Sequence, residues 1–115
     1  MIRFDSDYVE GCHPHVLAAL TESNAVQTVG YGEDPYCQDA KALIRDLIEL
    51  PEADVHFVTG GTQANVMVIT HLLRPYEGVV SAETGHIHVH ETGAVEAAGH
   101  KILSIPSSDG KVHPA

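Results

Sequence analysis

Residues 55–73 read VHFVTGGTQANVMVITHLL, and this stretch decides the fold. Its first five residues are rich in β-branched and aromatic side chains, which predicts a strand over residues 55–59. Gly60 and Gly61 interrupt that strand, and apolar residues then return at helical spacing. The spacing predicts a helix over residues 62–73. A strand, a glycine turn and a helix in this order form the first part of a βαβ unit.

Downstream of this stretch, strands and helices continue to alternate. Short apolar runs predict strands over residues 78–81 and 101–105. Residues 89–98 lie between them and are rich in Ala and Glu, which favours a helix. Short connections between alternating elements are typical of an α/β fold with a mostly parallel sheet. Because three strands are too few for a covered parallel sheet, we expect the N-terminal part of a larger α/β protein.

The pattern divides the chain into two regions. Residues 1–50 are predicted to form an N-terminal arm and helices. Apolar spacing places those helices over residues 13–22 and 35–50, and Asp34 is a suitable N-cap for the second. Residues 51–115 are predicted to hold the first βαβ units of a larger domain that is incomplete here.

The composition excludes several classes of function. The chain has 115 residues, with 6 Lys plus Arg, 16 Asp plus Glu and a formal charge of −10. So few basic residues cannot neutralise the phosphates of a nucleic acid or dock on anionic lipid. No run approaches the ~18 consecutive apolar residues of a membrane span. Two cysteines, Cys12 and Cys37, fit a reducing compartment better than a disulfide framework. We therefore expect a cytoplasmic protein that binds neither nucleic acid nor membrane.

The glycine turn is the first candidate site. Gly60 and Gly61 let a ligand approach the backbone closely. Unpaired N–H groups and the dipole at the start of the following helix favour an anion there. The Thr62 hydroxyl can donate to a phosphate oxygen, which makes this turn a candidate phosphate site. The alternative is a plain turn in which Thr62 only caps the helix.

The second candidate site is a run of three histidines, His86, His88 and His90. On a strand, this spacing places all three side chains on one face, where they could bind zinc or iron in a metal-dependent hydrolase. In a helix, the same spacing sends them to different faces. An imidazole can also act as a flat stacking surface or as a proton shuttle. His88 and His90 could equally be plain surface residues.

Four motifs, taken in order, resemble those of the low-specificity L-threonine aldolases. They are SDYV at residues 6–9, GYGEDP at 30–35, GTQAN at 61–65 and HIHVHETGA at 86–94. These aldolases belong to the β-eliminating lyase branch of the enzymes that use pyridoxal 5′-phosphate (PLP). The resemblance runs over nearly the whole chain. It implies the large domain of the aspartate-aminotransferase-like fold.

The resemblance also implies which residues hold the cofactor. Gly61 and Thr62 look like the cup for the PLP phosphate, with Gln63 beside them. His86 looks like the imidazole that stacks on the pyridine ring, and it could take part in proton transfer as a catalytic residue. These roles agree with an anion at a helix N-terminus and a flat ring after a strand.

Substrate and partners follow from the same resemblance. Ser6 looks like a ligand for the substrate carboxylate, and Tyr31 looks like a residue that reaches the site of a neighbouring subunit. The implied reaction cleaves a β-hydroxy-α-amino acid of the L-threonine type to glycine and an aldehyde. The implied assembly is a homodimer or a homotetramer.

The sequence departs widely from the family pattern, because the acidic partner of the pyridine nitrogen and the Arg that binds the substrate carboxylate lie downstream of it in this family. In this family the lysine that binds the cofactor covalently lies well beyond residue 115. The chain has Lys41, Lys101 and Lys111, and none of them lies in a matching motif. Because PLP chemistry depends on that covalent link, we expect the chain alone to be inactive or nearly so. The metal-dependent hydrolase and a non-catalytic truncated domain stay open as alternatives.

Overall fold

The computed structural model describes residues 9–113, which fall into two compact units. The first unit ends at Val55 and contains two helices, α1 (Pro14–Ser23) and α2 (Pro35–Leu47). The second begins at His56 and contains α3 (Gly61–Leu72), β1 (Gly78–Ala82), α4 (His86–Val89), α5 (Ala94–Ala97) and β2 (Lys101–Ile105). Within residues 9–113, no helix has the length and apolar character needed to cross a membrane.

Both ends of α2 are capped. At its start, the Asp34 carboxylate accepts a hydrogen bond of 2.9 Å from the Cys37 N–H, so the predicted N-cap is confirmed. At its end, Glu49 adopts a left-handed φ of 57°, and the Leu50 N–H donates to the Arg45 carbonyl at 3.1 Å. This Schellman-type arrangement satisfies the last carbonyls. It ends the helix at Leu47, before the predicted residue 50.

The two strands of the second unit form a parallel pair. Their register runs from Gly78 opposite Lys101 to Ala82 opposite Ile105. The chain crosses from one to the other through α4 and α5, which confirms the α/β arrangement with parallel strands. α5 contacts both α3 and β2, and its Val95 is fully buried. The small apolar core of this unit therefore lies under α5.

The predicted strand over residues 55–59 is wrong for the described part of the chain. Within residues 9–113, the only strands are β1 and β2, and they pair with each other. A strand needs a hydrogen-bonded neighbour, and no described segment supplies one to residues 55–59. Phe57 and Val58 are correspondingly exposed. The apolar pattern of this segment is real, but its pairing is not formed by residues 9–113.

The predicted helix over residues 89–98 is broken in two. Thr92 and Gly93 adopt left-handed φ values of 54° and 74°, which a right-handed helix cannot contain. α4 therefore ends at Val89, and α5 begins only at Ala94. The turn between the two short helices places Glu91 in the interior.

Candidate functional site

The N-terminus of α3 presents free amides. The helix begins at Gly61, and its N-cap Gly60 is fully extended and has no side chain to cap it. The Ala64 N–H donates to the Gly60 carbonyl at 3.2 Å. The N–H groups of Gly61, Thr62 and Gln63 have no acceptor among residues 9–113. Thr62 therefore does not cap this helix, and the plain-turn alternative loses its capping residue.

The side chain of Gln63 holds the turn before α3 through hydrogen bonds to Thr59. Its Oε1 accepts two hydrogen bonds from Thr59, one from the backbone N–H at 2.9 Å and one from the hydroxyl at 2.8 Å. Gln63 is the third helical residue, and it reaches back to the residue before the N-cap rather than to the N-cap N–H that a capping box uses. A Cβ built on Gly60 or Gly61 meets no other atom within 4 Å, and Gly60, Gly61, Thr62 and Gln63 are all exposed. The arrangement suits an oxyanion.

His86 follows β1 after a tight turn. The Gly85 N–H donates to the Ala82 carbonyl at 2.8 Å, and Gly85 is the N-cap of α4. A Cβ on Gly85 would overlap the Ser81 hydroxyl and lie 3.0 Å from the Ala82 carbonyl oxygen, so a larger residue would require these groups to shift. The turn leaves His86 as the first residue of α4, with its side chain 67% exposed. An exposed ring beyond the carboxyl end of a parallel strand is where α/β folds place ligand groups.

A buried carboxylate joins His86 to α3. Glu91 has a side chain with 0% exposure, and its Oε1 lies 2.9 Å from His86 Nδ1. The same oxygen accepts a hydrogen bond of 2.6 Å from Asn65 Nδ2. Its other oxygen, Oε2, is buried and has no hydrogen-bond partner within residues 9–113. A buried carboxylate is costly unless it is paired, and here two partners from two helices pair it through one oxygen.

This network brings the two candidate sites together. Asn65 lies four residues after Gly61, so it is one turn further along α3 on the same side. The start of α3 and His86 are thus linked by three side chains in hydrogen-bond contact. The motifs at residues 61–65 and 86–94 contain Asn65 and Glu91, but the sequence pattern assigns neither of them a role. The four-residue spacing after Gly61 was the available signal for Asn65.

The other two histidines do not complete a metal site. The His90 ring lies 5.3 Å from the His86 ring, centroid to centroid, and is tilted by 50°. Among residues 9–113, no three His, Cys, Asp or Glu side chains converge as metal ligands. His86 Nδ1 is already engaged by Glu91. The ligand set expected of the metal-dependent hydrolase is therefore not assembled by the described residues.

The described part of the second unit does not test the two predicted substrate residues. Ser6 lies outside the described residues. Tyr31 belongs to the first unit, where it is fully exposed and adopts a left-handed φ of 63°. Non-glycine residues adopt this conformation only at a cost. The structure thus places Tyr31 as a projecting side chain, and its contact with a neighbouring subunit stays a prediction.

Comparisons with known proteins agree on one group of enzymes. The model of the beta-eliminating lyase family matches residues 4–115. The low specificity L-threonine aldolases of Pseudomonas aeruginosa and of a Pseudomonas sp. are each 34% identical over 98% of this chain. A solved structure of Leishmania major threonine aldolase is 48% identical and superposes with a TM-score of 0.86 over 92% of this chain. The chain spans about a third of each relative, 33% of the two Pseudomonas enzymes and 31% of the Leishmania chain.

Proposed function

The chain belongs to the beta-eliminating lyase family, and from that premise we propose that the whole protein is a PLP-dependent threonine aldolase. It cleaves β-hydroxy-α-amino acids of the L-threonine type to glycine and an aldehyde. The resemblance to threonine aldolases in sequence and in structure supports this reaction within the family. The observation that carries the proposal is the Asn65–Glu91–His86 network, because it holds an open helix N-terminus and an exposed ring together.

The residues at the start of α3 fit the phosphate of PLP. With 6 Lys plus Arg and a formal charge of −10, this chain offers the anion mainly backbone N–H groups. Gly61, Thr62 and Gln63 offer three such groups without an acceptor among residues 9–113. The Thr62 hydroxyl adds a fourth donor, and the helix dipole favours the negative charge. Gln63 contributes mainly by fixing the turn through Thr59.

His86 fits the role of a flat partner for the pyridine ring. Its imidazole is 67% exposed and is held at Nδ1 by the buried Glu91 carboxylate, which leaves Nε2 without a hydrogen-bond partner among residues 9–113. When bound, PLP supplies a sink for the electron pair released at Cα. The part of His86 is to keep the cofactor in place and to move a proton at Nε2.

Three further properties belong to the same proposal. Ser6 binds the substrate carboxylate, and Tyr31 reaches the site of a neighbouring subunit in a homodimer or homotetramer. The fully exposed Tyr31 side chain supports the second assignment. The protein works in the cytoplasm, a compartment that suits the free thiols of Cys12 and Cys37.

The proposal is tested by product analysis. The whole protein is purified, loaded with PLP and given L-threonine, and glycine and acetaldehyde are measured together. We expect the two products in equal amounts, with no ammonia released. Release of ammonia and a keto acid would instead indicate a β-elimination reaction, and it would contradict the aldolase assignment without contradicting the family.

A further inference from the structure

We propose that Glu91 is a positioning residue that fixes the tautomer of His86. In this arrangement His86 carries its hydrogen on Nδ1 and leaves the lone pair of Nε2 free at the exposed edge of the ring. The tautomer itself depends only on contacts within the chain. Its use in proton transfer rests on the proposed function.

The contact between the two side chains determines where the hydrogen lies. His86 Nδ1 and Glu91 Oε1 are 2.9 Å apart, a normal hydrogen-bond distance. An ionised carboxylate only accepts hydrogen bonds, so Nδ1 has to donate. The bond on one ring nitrogen sets the state of the other. Nε2 of the neutral ring is consequently the nitrogen that can accept a proton.

Glu91 is held rigidly enough to impose this state. Its side chain is completely buried, and Asn65 Nδ2 donates to the same Oε1 at 2.6 Å. The left-handed Thr92 and Gly93 turn the backbone immediately after it. Oε1 is therefore fixed by α3 on one side and meets His86 on the other. A buried carboxylate held by a second donor orients an imidazole better than a mobile surface residue does.

The unpartnered oxygen indicates that stability alone does not explain Glu91. Oε2 is buried without a hydrogen-bond partner among residues 9–113, which is unfavourable for folding. A purely structural position would favour an apolar side chain of similar volume. The geometry points instead to a charge that faces His86. That charge would stabilise the imidazolium formed when Nε2 takes a proton.

The consequence for the reaction is a defined proton path. In the aldol cleavage, the O–H bond of the substrate β-hydroxyl breaks and an N–H bond forms at His86 Nε2. The electron pair left on oxygen becomes part of the aldehyde C=O bond as the Cα–Cβ bond breaks. The electron pair of the Cα–Cβ bond stays on Cα, for which bound PLP would supply the sink. The imidazolium then bears a hydrogen on each nitrogen, with Nδ1–H still donated to Glu91.

The test is a nuclear magnetic resonance measurement on the ligand-free full chain. The chain is labelled with ¹⁵N-histidine, and long-range ¹H–¹⁵N correlations are recorded where the ring shifts no longer change with pH. We expect a protonated Nδ1 and an unprotonated Nε2 for His86. His88 and His90 serve as internal comparisons, because their side chains make no hydrogen bond within residues 9–113. A wild-type His86 protonated at Nε2 would overturn the proposal, whatever the reaction of the enzyme.

Two variants separate positioning from packing. Glu91→Gln keeps a carbonyl acceptor, so His86 should keep its Nδ1 hydrogen. Glu91→Met fills similar space without an acceptor, so the tautomers of His86 should approach the distribution of His88 and His90. Glu96→Met, at an exposed position of α5, is the matched control and should change nothing at His86.

Kinetics on the whole PLP-loaded protein complete the test. Glu91→Met should lower kcat about 10- to 100-fold with a smaller change in KM, the size of loss that removal of the orienting partner of a metal-binding histidine causes. Glu91→Gln should recover part of that loss. If Glu91→Met keeps the wild-type tautomer, the proposal is wrong. If the Glu91→Met variant fails to fold, the tautomer of His86 in the wild-type protein still tests the proposal.

Discussion

Removal of the Asn65 amide tests the buried network most sharply. Asn65 Nδ2 donates to Glu91 Oε1 at 2.6 Å, and Glu91 has no exposed side-chain surface. A hydrogen bond to a charged group contributes about 1.5–3 kcal/mol. Because water cannot replace the lost donor at a buried oxygen, we expect Asn65→Ala to lower the free energy of unfolding by about 1.5–3 kcal/mol.

The assay is thermal unfolding followed by circular dichroism. For a chain of this length, 1 kcal/mol corresponds to roughly 4 °C in Tm, so Asn65→Ala should lower Tm by about 6–12 °C. Asn24→Ala changes the other asparagine, which is exposed at the end of α1. The free energy of unfolding of this control should stay within about 0.5 kcal/mol of the wild-type value.

A second substitution at position 65 distinguishes loss of the hydrogen bond from repulsion by a like charge. Asn65→Asp places a carboxylate against Glu91 Oε1 and replaces attraction with repulsion. It should destabilise the protein more than Asn65→Ala at neutral pH and recover at acid pH, where the pair can share a proton. If Asn65→Ala melts with wild type and Asn65→Asp shows no pH dependence, the network does not exist in solution.

Three further predictions concern the ligand sites and α2. In the whole protein, Thr62→Ala should weaken PLP binding by about 1–3 kcal/mol, or about 5- to 150-fold in Kd. Thr62→Ser should bind PLP nearly as wild type does. If an absorbance titration gives Thr62→Ala the wild-type Kd, the Thr62 hydroxyl does not bind the phosphate. His86→Phe should keep most cofactor binding and lose turnover, and unchanged kcat would leave His86 only a packing role. The side chain and backbone N–H of Cys37 hydrogen-bond Asp34 and lower its pKa. Asp34 therefore stabilises α2 above its unfolded-state pKa and loses this effect as pH falls through the folded-state value, so the Tm difference between wild type and Asp34→Asn should shrink in acid; a constant difference would contradict this.

Local chemistry was enough to predict several elements. Asp34 followed by Pro35 gave the start of α2, since an N-cap carboxylate and a proline without an N–H both suit the first turn. The apolar runs at residues 78–81 and 101–105 gave the two strands of the parallel pair. These features depend on neighbours in sequence, so sequence patterns contain them.

Features that depend on distant contacts could not be predicted in this way. The Ala- and Glu-rich composition of residues 89–98 predicts a continuous helix. Thr92 interrupts it by adopting a left-handed conformation that its residue type disfavours, so the residue type does not indicate the break. Glu91 lies 26 residues from Asn65 in sequence, and charged residues are usually exposed. Nothing local indicates that Glu91 is buried. Pairing at residues 55–59 likewise depends on a neighbouring strand rather than on the segment itself.

The central claim is that one site is built from the start of α3 and His86. A crystal structure of the whole protein with PLP tests it most directly. We expect the phosphate within hydrogen-bond distance of the N–H groups of Gly61, Thr62 and Gln63, with the pyridine ring stacked on His86. A phosphate bound away from the start of α3, or a pyridine ring that does not contact His86, would contradict it.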